Sequence, residues 1–223
     1  MPVTVQANKS REHFVFREDT TKVLEACPDA EWRLIVSLCR FGGLRCPSEI
    51  LELRREDIVW DQNRILVTSR KTEHHAGHET RVIPLFPELV EPLRDVFEQA
   101  AEGAVYLITR YRSQNSNLRT QFNRIVRRAG LKPWPKPFQN CRSTRETELM
   151  ESYPAHVVCA WIGNSEAVAR KHYLQVTDEH FQRAADEKVA HQVAQKASET
   201  ERTVKRANEK TRDKHNVFRG SGD

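Results

Sequence analysis

The feature that most constrains this fold is a pair of β-rich runs in a chain whose other apolar patterns have helical spacing. The runs RILVTS (64–69) and TRVIPL (80–85) contain several β-branched residues, and a polar loop, RKTEHHAGHE, separates them. Two such runs joined by a polar loop are typical of a hairpin. With one further short strand at AVYLIT (104–109), the sequence predicts a mainly α fold with a small antiparallel β-sheet, an α+β class.

The first predicted helix follows Asp29, which is available as its N-cap. Its apolar residues recur at helical spacing: Trp32, Ile35, Val36 and Cys39. Gly42-Gly43 ends it, and Pro47 suits the first turn of a short second helix. That helix would carry Ile50, Leu51 and Leu53. Arg45 is therefore predicted to lie in a turn between two helices, where an unpaired cation would be costly.

Further helices are predicted downstream from caps and breakers. One follows Pro92 and ends near Gly103, and another runs over SNLRTQFNRIVRRAG (116–130) with Ser116 as its cap. Three more follow a Pro-rich extended loop: one capped by Asn140, one from Pro154 to Gly163, and SEAVARKHYLQV (165–176), which carries Tyr173.

Positive charge is concentrated in one segment. From Gly103 to Arg145, with Arg145 included, there is no acidic residue, but there are ten basic ones. A solvated helix face usually carries both signs, so an acid-free stretch favours a surface that contacts phosphates. Eight of these residues are candidate phosphate contacts: Arg110, Arg112, Arg119, Arg124, Arg127, Arg128, Lys132 and Lys136. A net charge of +5 agrees weakly with an anionic partner.

Membrane and metal functions are disfavoured. No apolar run approaches the ~20 residues that span a bilayer, and the first residues lack a secretory apolar core, so we expect a cytoplasmic protein without a membrane partner. The five cysteines lack the spacing of a zinc knuckle or redox pair, which predicts reduced and mostly buried thiols. We interpret His74, His75 and His78 as a solvated turn rather than a metal site.

Four residues in this order and context carry a family resemblance: Arg45 in an interhelical turn, Lys71 on the hairpin, Arg142 after the Pro-rich loop, and Tyr173. Together they resemble the catalytic domain of the tyrosine recombinases, the phage-integrase type of DNA breaking and rejoining enzyme. The resemblance covers roughly 14–176. It is strongest in FGGLRCPSEILELRREDI and WIGNSEAVARKHYLQV.

The resemblance implies a role for each of these residues. Tyr173 would attack a DNA phosphodiester to give a 3′-phosphotyrosine, with Arg45 and Arg142 binding the nonbridging oxygens. Lys71 would protonate the leaving 5′-oxygen, although the neighbouring Arg70 competes for that assignment. Glu49 would orient Arg45. Because bond energy is kept in the covalent intermediate, the family needs neither ATP nor a metal, and no cofactor is expected.

Two positions depart from the family pattern. Gln139 stands where a histidine usually precedes the second arginine, and Asn164 stands where histidine or tryptophan usually follows the glycine. Both amides still donate hydrogen bonds, but neither carries a proton at physiological pH. Slowed cleavage is therefore one expectation. A DNA-binding relative without the chemistry is an alternative, as is topoisomerase-like relaxation through the same covalent step.

Other aromatic residues have structural interpretations. Tyr111 and Tyr153 are rival nucleophiles, yet packing or DNA contact suits both better. Trp134 is open to two interpretations, stacking on a nucleotide or packing in the core.

The resemblance also predicts domain organisation and partners. Residues 1–177 would form the catalytic domain without the family's N-terminal core-binding domain, and 178–223 a charged helical tail whose end is disordered. The partner would be double-stranded DNA. We expect a homo-tetramer on that DNA, in which the tail docks on a neighbouring protomer.

Overall fold

The computed structural model describes residues 12–68, 80–113 and 116–172, with side chains described as far as Ala169. Lys71, Tyr173, the hairpin histidines and the tail 178–223 lie outside the described residues. Predictions that concern them therefore stay predictions.

Within these ranges the chain forms seven α-helices, two short 3-10 helices (Arg55–Asp57 and Trp60–Gln62) and one three-stranded sheet. The helices are α1 (Arg17–Glu25), α2 (Ala30–Arg40), α3 (Pro87–Gln99), α4 (Leu118–Arg128), α5 (Pro137–Ser152), α6 (Ala155–Ile162) and α7 (Glu166–His172). The strands are β1 (Ile58–Val59), β2 (Arg64–Thr68) and β3 (Thr80–Pro84). This composition confirms the predicted class.

The predicted hairpin is confirmed and gains a third strand. β2 pairs antiparallel with β3, with Ile65 opposite Ile83, and β1 pairs with the other edge of β2. Burial alternates along β2, where Ile65 and Val67 face the core.

The strand predicted at 104–109 is wrong. Only a single bridge forms there, between Arg54 and Tyr106. Beyond the bridge, the backbone N–H groups of Thr109 and Arg110 donate to the Glu31 carboxylate on α2 instead of to a strand.

α2 is the central helix of the core. Asp29 caps it as predicted, accepting from the Trp32 N–H at 2.8 Å. Every residue from Leu34 to Arg40 is buried, because α2 packs against both α3 and α5. α2 ends at Arg40, just before Gly42-Gly43.

The short helix predicted after Pro47 is wrong, since residues 46–52 form consecutive turns. Two bonds of helical type form in this segment, from Glu49 N–H to the Arg45 carbonyl and from Leu51 N–H to the Pro47 carbonyl, both at 3.0 Å, but they do not build a regular helix. The Glu49 side chain accepts a further hydrogen bond from the backbone N–H of Arg45 at 2.8 Å. The predicted apolar anchors Ile50 and Leu53 are nevertheless buried.

Three helix starts differ from prediction. α3 begins at Pro87 and contains Pro92. Proline cannot donate the helical hydrogen bond, but burial of Leu89, Leu93 and Val96 stabilises the helix enough to offset that loss. Asn117, not Ser116, caps α4 and accepts from Thr120 N–H.

α5 begins at Pro137 rather than after Asn140. Asn140 therefore lies within α5. Its side chain donates to the Pro135 carbonyl at 2.6 Å, which connects the helix to the preceding loop. α6 agrees with prediction and ends at Gly163, whose φ of +77° suits glycine. α1 was not predicted, because only Thr20 and Val23 of its residues are buried and its apolar pattern is weak.

None of the described helices is both long enough and apolar enough to cross a membrane.

Candidate active site

The Glu49 carboxylate is the centre of a cluster of three arginines. It is 1% exposed and accepts hydrogen bonds from Arg45 Nη1 at 2.6 Å and from Arg81 Nη1 and Nη2 at 2.8 and 2.7 Å. Arg142 Nη1 lies 3.9 Å from the same carboxylate. The turn after α2, the strand β3 and the helix α5 thus each bring one guanidinium to a single acid.

The C-terminal end of α6 holds the same three arginines. Arg81 Nε donates to the Trp161 carbonyl at 2.7 Å, Arg142 Nη2 to Ile162 at 2.5 Å, and Arg45 Nη2 to Gly163 at 2.6 Å. The last carbonyls of a helix lack intrahelical partners and carry partial negative charge. Three cations therefore satisfy three consecutive carbonyls at this helix end.

Gly43 allows α6 to approach the turn that carries Arg45. Its φ is +66°, and a Cβ atom there would lie 2.6 Å from Ile162 Cδ1. Its carbonyl accepts from Arg142 Nη1 at 2.6 Å. The glycine therefore lets the turn, α5 and α6 meet at one point.

The charges of this cluster keep Glu49 ionised. Burial alone would raise its pKa, but hydrogen bonds from Arg81 and the charges of Arg81, Arg45 and Arg142 outweigh burial and lower the pKa to about 2. Glu49 is thus a fixed anion that orients guanidinium groups.

Arg45 and Arg142 differ in exposure. The Arg45 side chain is 23% exposed and that of Arg142 is 4% exposed. Each guanidinium presents a planar fork of donors, a shape that suits phosphate oxygens. The arrangement can therefore present positive charge to an anion that approaches from the Arg45 side.

Asn164 lies beside the cluster and is held by Glu146. Its Nδ2 donates to Glu146 Oε1 at 2.8 Å. Glu146 is fully buried on α5, four residues after Arg142. Burial raises the pKa of its carboxyl, while the Asn164 hydrogen bond and the charges of Arg142 and Arg45 act in the opposite direction.

The structure thus brings Arg45, Glu49, Arg142 and Asn164 together. Gln139 is exposed in the first turn of α5, three residues before Arg142. No contact joins Gln139 to the cluster among the hydrogen bonds of the described residues, so its predicted role as a donor to phosphate stays a prediction.

Most of the predicted phosphate contacts are exposed. α4 buries Leu118, Phe122, Ile125 and Val126 and exposes its arginines on the other side. The exposed residues are Arg110, Arg119, Arg124, Arg127, Arg128, Lys132 and Lys136. Arg112 differs, because its guanidinium lies 3.5 Å from the Tyr106 ring centroid and it also pairs with Glu52.

The rival aromatic residues have structural contacts. The Tyr111 hydroxyl donates to Asp29 at 2.7 Å, and burial followed by this bond raises its pKa to about 12. Tyr153 packs edge-on against Trp161 and is 44% exposed. Trp134 is buried against His13 and Phe122, which settles its two interpretations in favour of packing.

Sequence reasoning missed Arg81 and Glu146. A signal existed for each. Arg81 shares a strand face with the buried Ile83, so alternation along β3 places a cation on the inward side. Glu146 follows Arg142 by one helical turn, which puts a carboxyl next to the arginine.

Comparison with known proteins assigns the class. A family model described as "Phage integrase family" matches residues 14–180. The chain therefore belongs to the phage integrase family. A search of curated proteins found no match.

Solved structures agree on the fold. The chain is similar to XerA recombinase, with a TM-score of 0.65 and 17% identity over 78% of this chain and 64% of that one. It is also similar to a lambda integrase tetramer bound to a Holliday junction, with a TM-score of 0.57 and 19% identity over 74% of this chain and 48% of that one.

The catalytic domain of bacteriophage HP1 integrase gives a TM-score of 0.51 and 20% identity over 78% of this chain and 94% of that domain. The present chain thus spans less than two-thirds of the XerA and lambda integrase structures, but nearly all of the isolated HP1 catalytic domain. Its fold is that of a tyrosine recombinase catalytic domain.

Proposed function

We propose that this chain is a site-specific DNA recombinase that cleaves and rejoins strands through Tyr173. The observation that carries this proposal is the convergence of Arg45 and Arg142 on Glu49 and on the end of α6. Arginines so distant in the sequence meet in one cationic cluster, and such a cluster can stabilise the charge that develops on phosphate oxygens.

The proposed reaction has two reciprocal steps. The Tyr173 oxygen attacks phosphorus and gives its proton to solvent water, the bond from phosphorus to the 5′-oxygen breaks, and the ammonium group of Lys71 gives that oxygen a proton. Arg45 and Arg142 stabilise the charge that develops on the nonbridging oxygens. A 5′-hydroxyl of another strand then attacks the phosphotyrosine and returns a proton to Lys71, while the bond from phosphorus to the Tyr173 oxygen breaks and that oxygen takes a proton from water.

Duplex DNA is the proposed partner, bound through the exposed arginines of α4 and the loops on either side of it. The lambda integrase structure is a tetramer on a Holliday junction. By analogy we propose a homo-tetramer here, in which the tail 178–223 reaches a neighbouring protomer.

Trapping a covalent complex tests the chemistry. A nicked suicide duplex loses its 5′-hydroxyl fragment after cleavage, so the wild-type chain should accumulate a protein–DNA adduct that survives denaturing electrophoresis. Tyr173→Phe should form none. Tyr153→Phe is the matched control, because it removes the same hydroxyl from an exposed tyrosine and should still form the adduct. An adduct that persists in Tyr173→Phe would overturn the assignment.

A second candidate function is DNA binding without cleavage. Gln139 and Asn164 favour it, because both replace residues that the family uses near the phosphate and neither amide can act as a general acid or base. This candidate predicts salt-dependent duplex binding and no adduct on any nicked duplex. Topoisomerase-like relaxation would instead give the adduct, relax one supercoiled circle, and join no strands from two sites.

A further inference from the structure

Two buried polar atoms beside Arg142 lack hydrogen-bond partners among the described residues. They are Oε2 of Glu146 and Oδ1 of Asn164. The same two side chains already meet through their other polar atoms, Asn164 Nδ2 and Glu146 Oε1, at 2.8 Å. Buried acceptors without donors are costly. A proton on Glu146 Oε2 that is donated to Asn164 Oδ1 would give both atoms a hydrogen-bond partner.

A carboxylic acid and a primary amide are complementary in this way. The acid hydroxyl donates to the amide oxygen, and the amide N–H donates to the other oxygen of the acid. We propose that Glu146 is held as a neutral carboxylic acid whose hydroxyl donates to Asn164 Oδ1, so that the two side chains form a closed pair. Glu146 is then a positioning residue that fixes Asn164 beside Arg142.

The surroundings of Glu146 support its neutral form. Among the described residues, the titratable groups that act on it electrostatically are Arg142 on α5, Arg45 in the turn after α2, and Cys159 on α6. Burial raises the pKa of Glu146 more than the two arginines and Asn164 lower it. Burial also raises the pKa of the Cys159 thiol, which keeps that neighbour neutral.

The neutral pair preserves the positive charge of the site. Among the described residues of the cluster, three guanidiniums then face one carboxylate, Glu49. Ionised Glu146 would add a second negative charge that acts on Arg142 and Arg45. A phosphate at these arginines and a proton on Glu146 should therefore favour each other. This part of the inference rests on the proposed function; the pairing itself does not.

Unfolding in urea tests the pair without DNA. The full chain would be measured between about pH 5 and about pH 8 as wild type, Glu146→Gln and Glu146→Leu. Because the folded pKa of Glu146 is raised, its contribution to stability is present at the acidic end and is lost as pH rises toward that pKa. The wild-type unfolding midpoint should fall with pH by more than that of Glu146→Gln.

Glutamine is the matched substitution, because its amide can donate where the acid hydroxyl donates. Glu146→Gln should match or exceed wild-type stability at about pH 8, while Glu146→Leu should be less stable than Glu146→Gln throughout. If Glu146→Gln were less stable than wild type and kept the wild-type pH dependence, Glu146 would be an ionised partner of the arginines and the inference would be wrong. Equal stability of the Leu and Gln variants would also refute the pair.

Duplex affinity at constant ionic strength provides the second measurement. Wild-type affinity should fall severalfold toward alkaline pH, and Glu146→Gln should remove that fall. The two proposals can fail separately. Unfolding as expected without DNA binding would refute the proposed function and leave the pair intact, whereas a covalent adduct together with the contrary unfolding result would refute only the pair.

Discussion

Arg81 binds the Glu49 carboxylate through both terminal nitrogens, Nη1 to Oε1 at 2.8 Å and Nη2 to Oε2 at 2.7 Å. The same guanidinium donates from Nε to the Trp161 carbonyl. One side chain thus joins β3, the turn after α2 and the end of α6. Arg81 therefore orients Glu49, and Glu49 in turn orients Arg45.

Arg81→Lys should destabilise the fold although it keeps the charge. Lysine has one nitrogen and cannot make the double contact to Glu49 together with the bond to Trp161. We expect a loss of about 1.5–3 kcal/mol, the range for hydrogen bonds to charged groups. The measurement is urea unfolding at neutral pH.

Arg33→Lys is the control for this substitution. Arg33 pairs with Asp95 at 3.3 Å with both side chains exposed, so its replacement should cost about 0–1 kcal/mol. Equal losses in the two variants would contradict the role given to Arg81.

Glu49→Gln should change how the protein responds to acid. The pKa of Glu49 is lowered to about 2 in the folded chain, so its contribution to stability is present above its unfolded pKa and is lost as pH falls toward 2. That contribution is about 3 kcal/mol at neutral pH. Glu49→Gln should be less stable at neutral pH and should lose less stability on acidification. The measurement is the free energy of unfolding of both proteins as the pH is lowered. If this free energy depended on pH in the same way in Glu49→Gln and in the wild type, Glu49 would not be the source of the acid sensitivity.

Gly163→Ala should disturb the arginine cluster, because a Cβ atom at this position would lie 3.0 Å from Arg81 Cδ. Gly163 also has a φ of +77°, where an added Cβ costs about 1–2 kcal/mol. Gly103→Ala is the matched control, since Gly103 has a φ of +76° and nothing within 4 Å of an added Cβ. Gly163→Ala should therefore lose more stability than Gly103→Ala and also form less covalent adduct. Equal stability losses would mean that backbone strain alone is responsible.

Local patterns predicted the elements whose signals are local. Two β-rich runs and a polar loop were sufficient for the hairpin, and Asp29 and Gly163 marked one end each of α2 and α6. The turns at 46–52 were predicted as a helix because Pro47 and the buried Ile50 and Leu53 suit both structures, and bonds of helical type form there without building a regular helix. The start of α3 was missed because burial of Leu89 and Leu93 offsets the cost of Pro92, and only packing reveals that burial.

The site could be predicted only in part, because it also depends on packing between elements that are distant in the sequence. Arg45 and Arg142 were found through family resemblance, which supplies positions but not contacts. The contacts of Arg81 and Glu146 are visible only in the folded chain, where β3 brings Arg81 to Glu49 and α5 brings Glu146 to Asn164. The available signal was a charged residue on the inward face of a strand or helix. In α5 this signal is hard to recognise, because most residues of the helix are polar and its few apolar residues do not mark an inward face.

Arg119→Ala and Arg127→Ala should weaken duplex binding through phosphate contacts. Both residues are exposed on α4, opposite its buried face. Each substitution should lower the slope of log affinity against log salt concentration by about 1, because one phosphate contact fewer releases one counterion fewer. Arg94→Ala is the control, since it removes the same charge from an exposed position on α3, outside the basic segment. It should leave the slope unchanged. Fluorescence anisotropy with a labelled duplex over a salt series measures all three, and equal slope changes would mean that net charge alone governs binding.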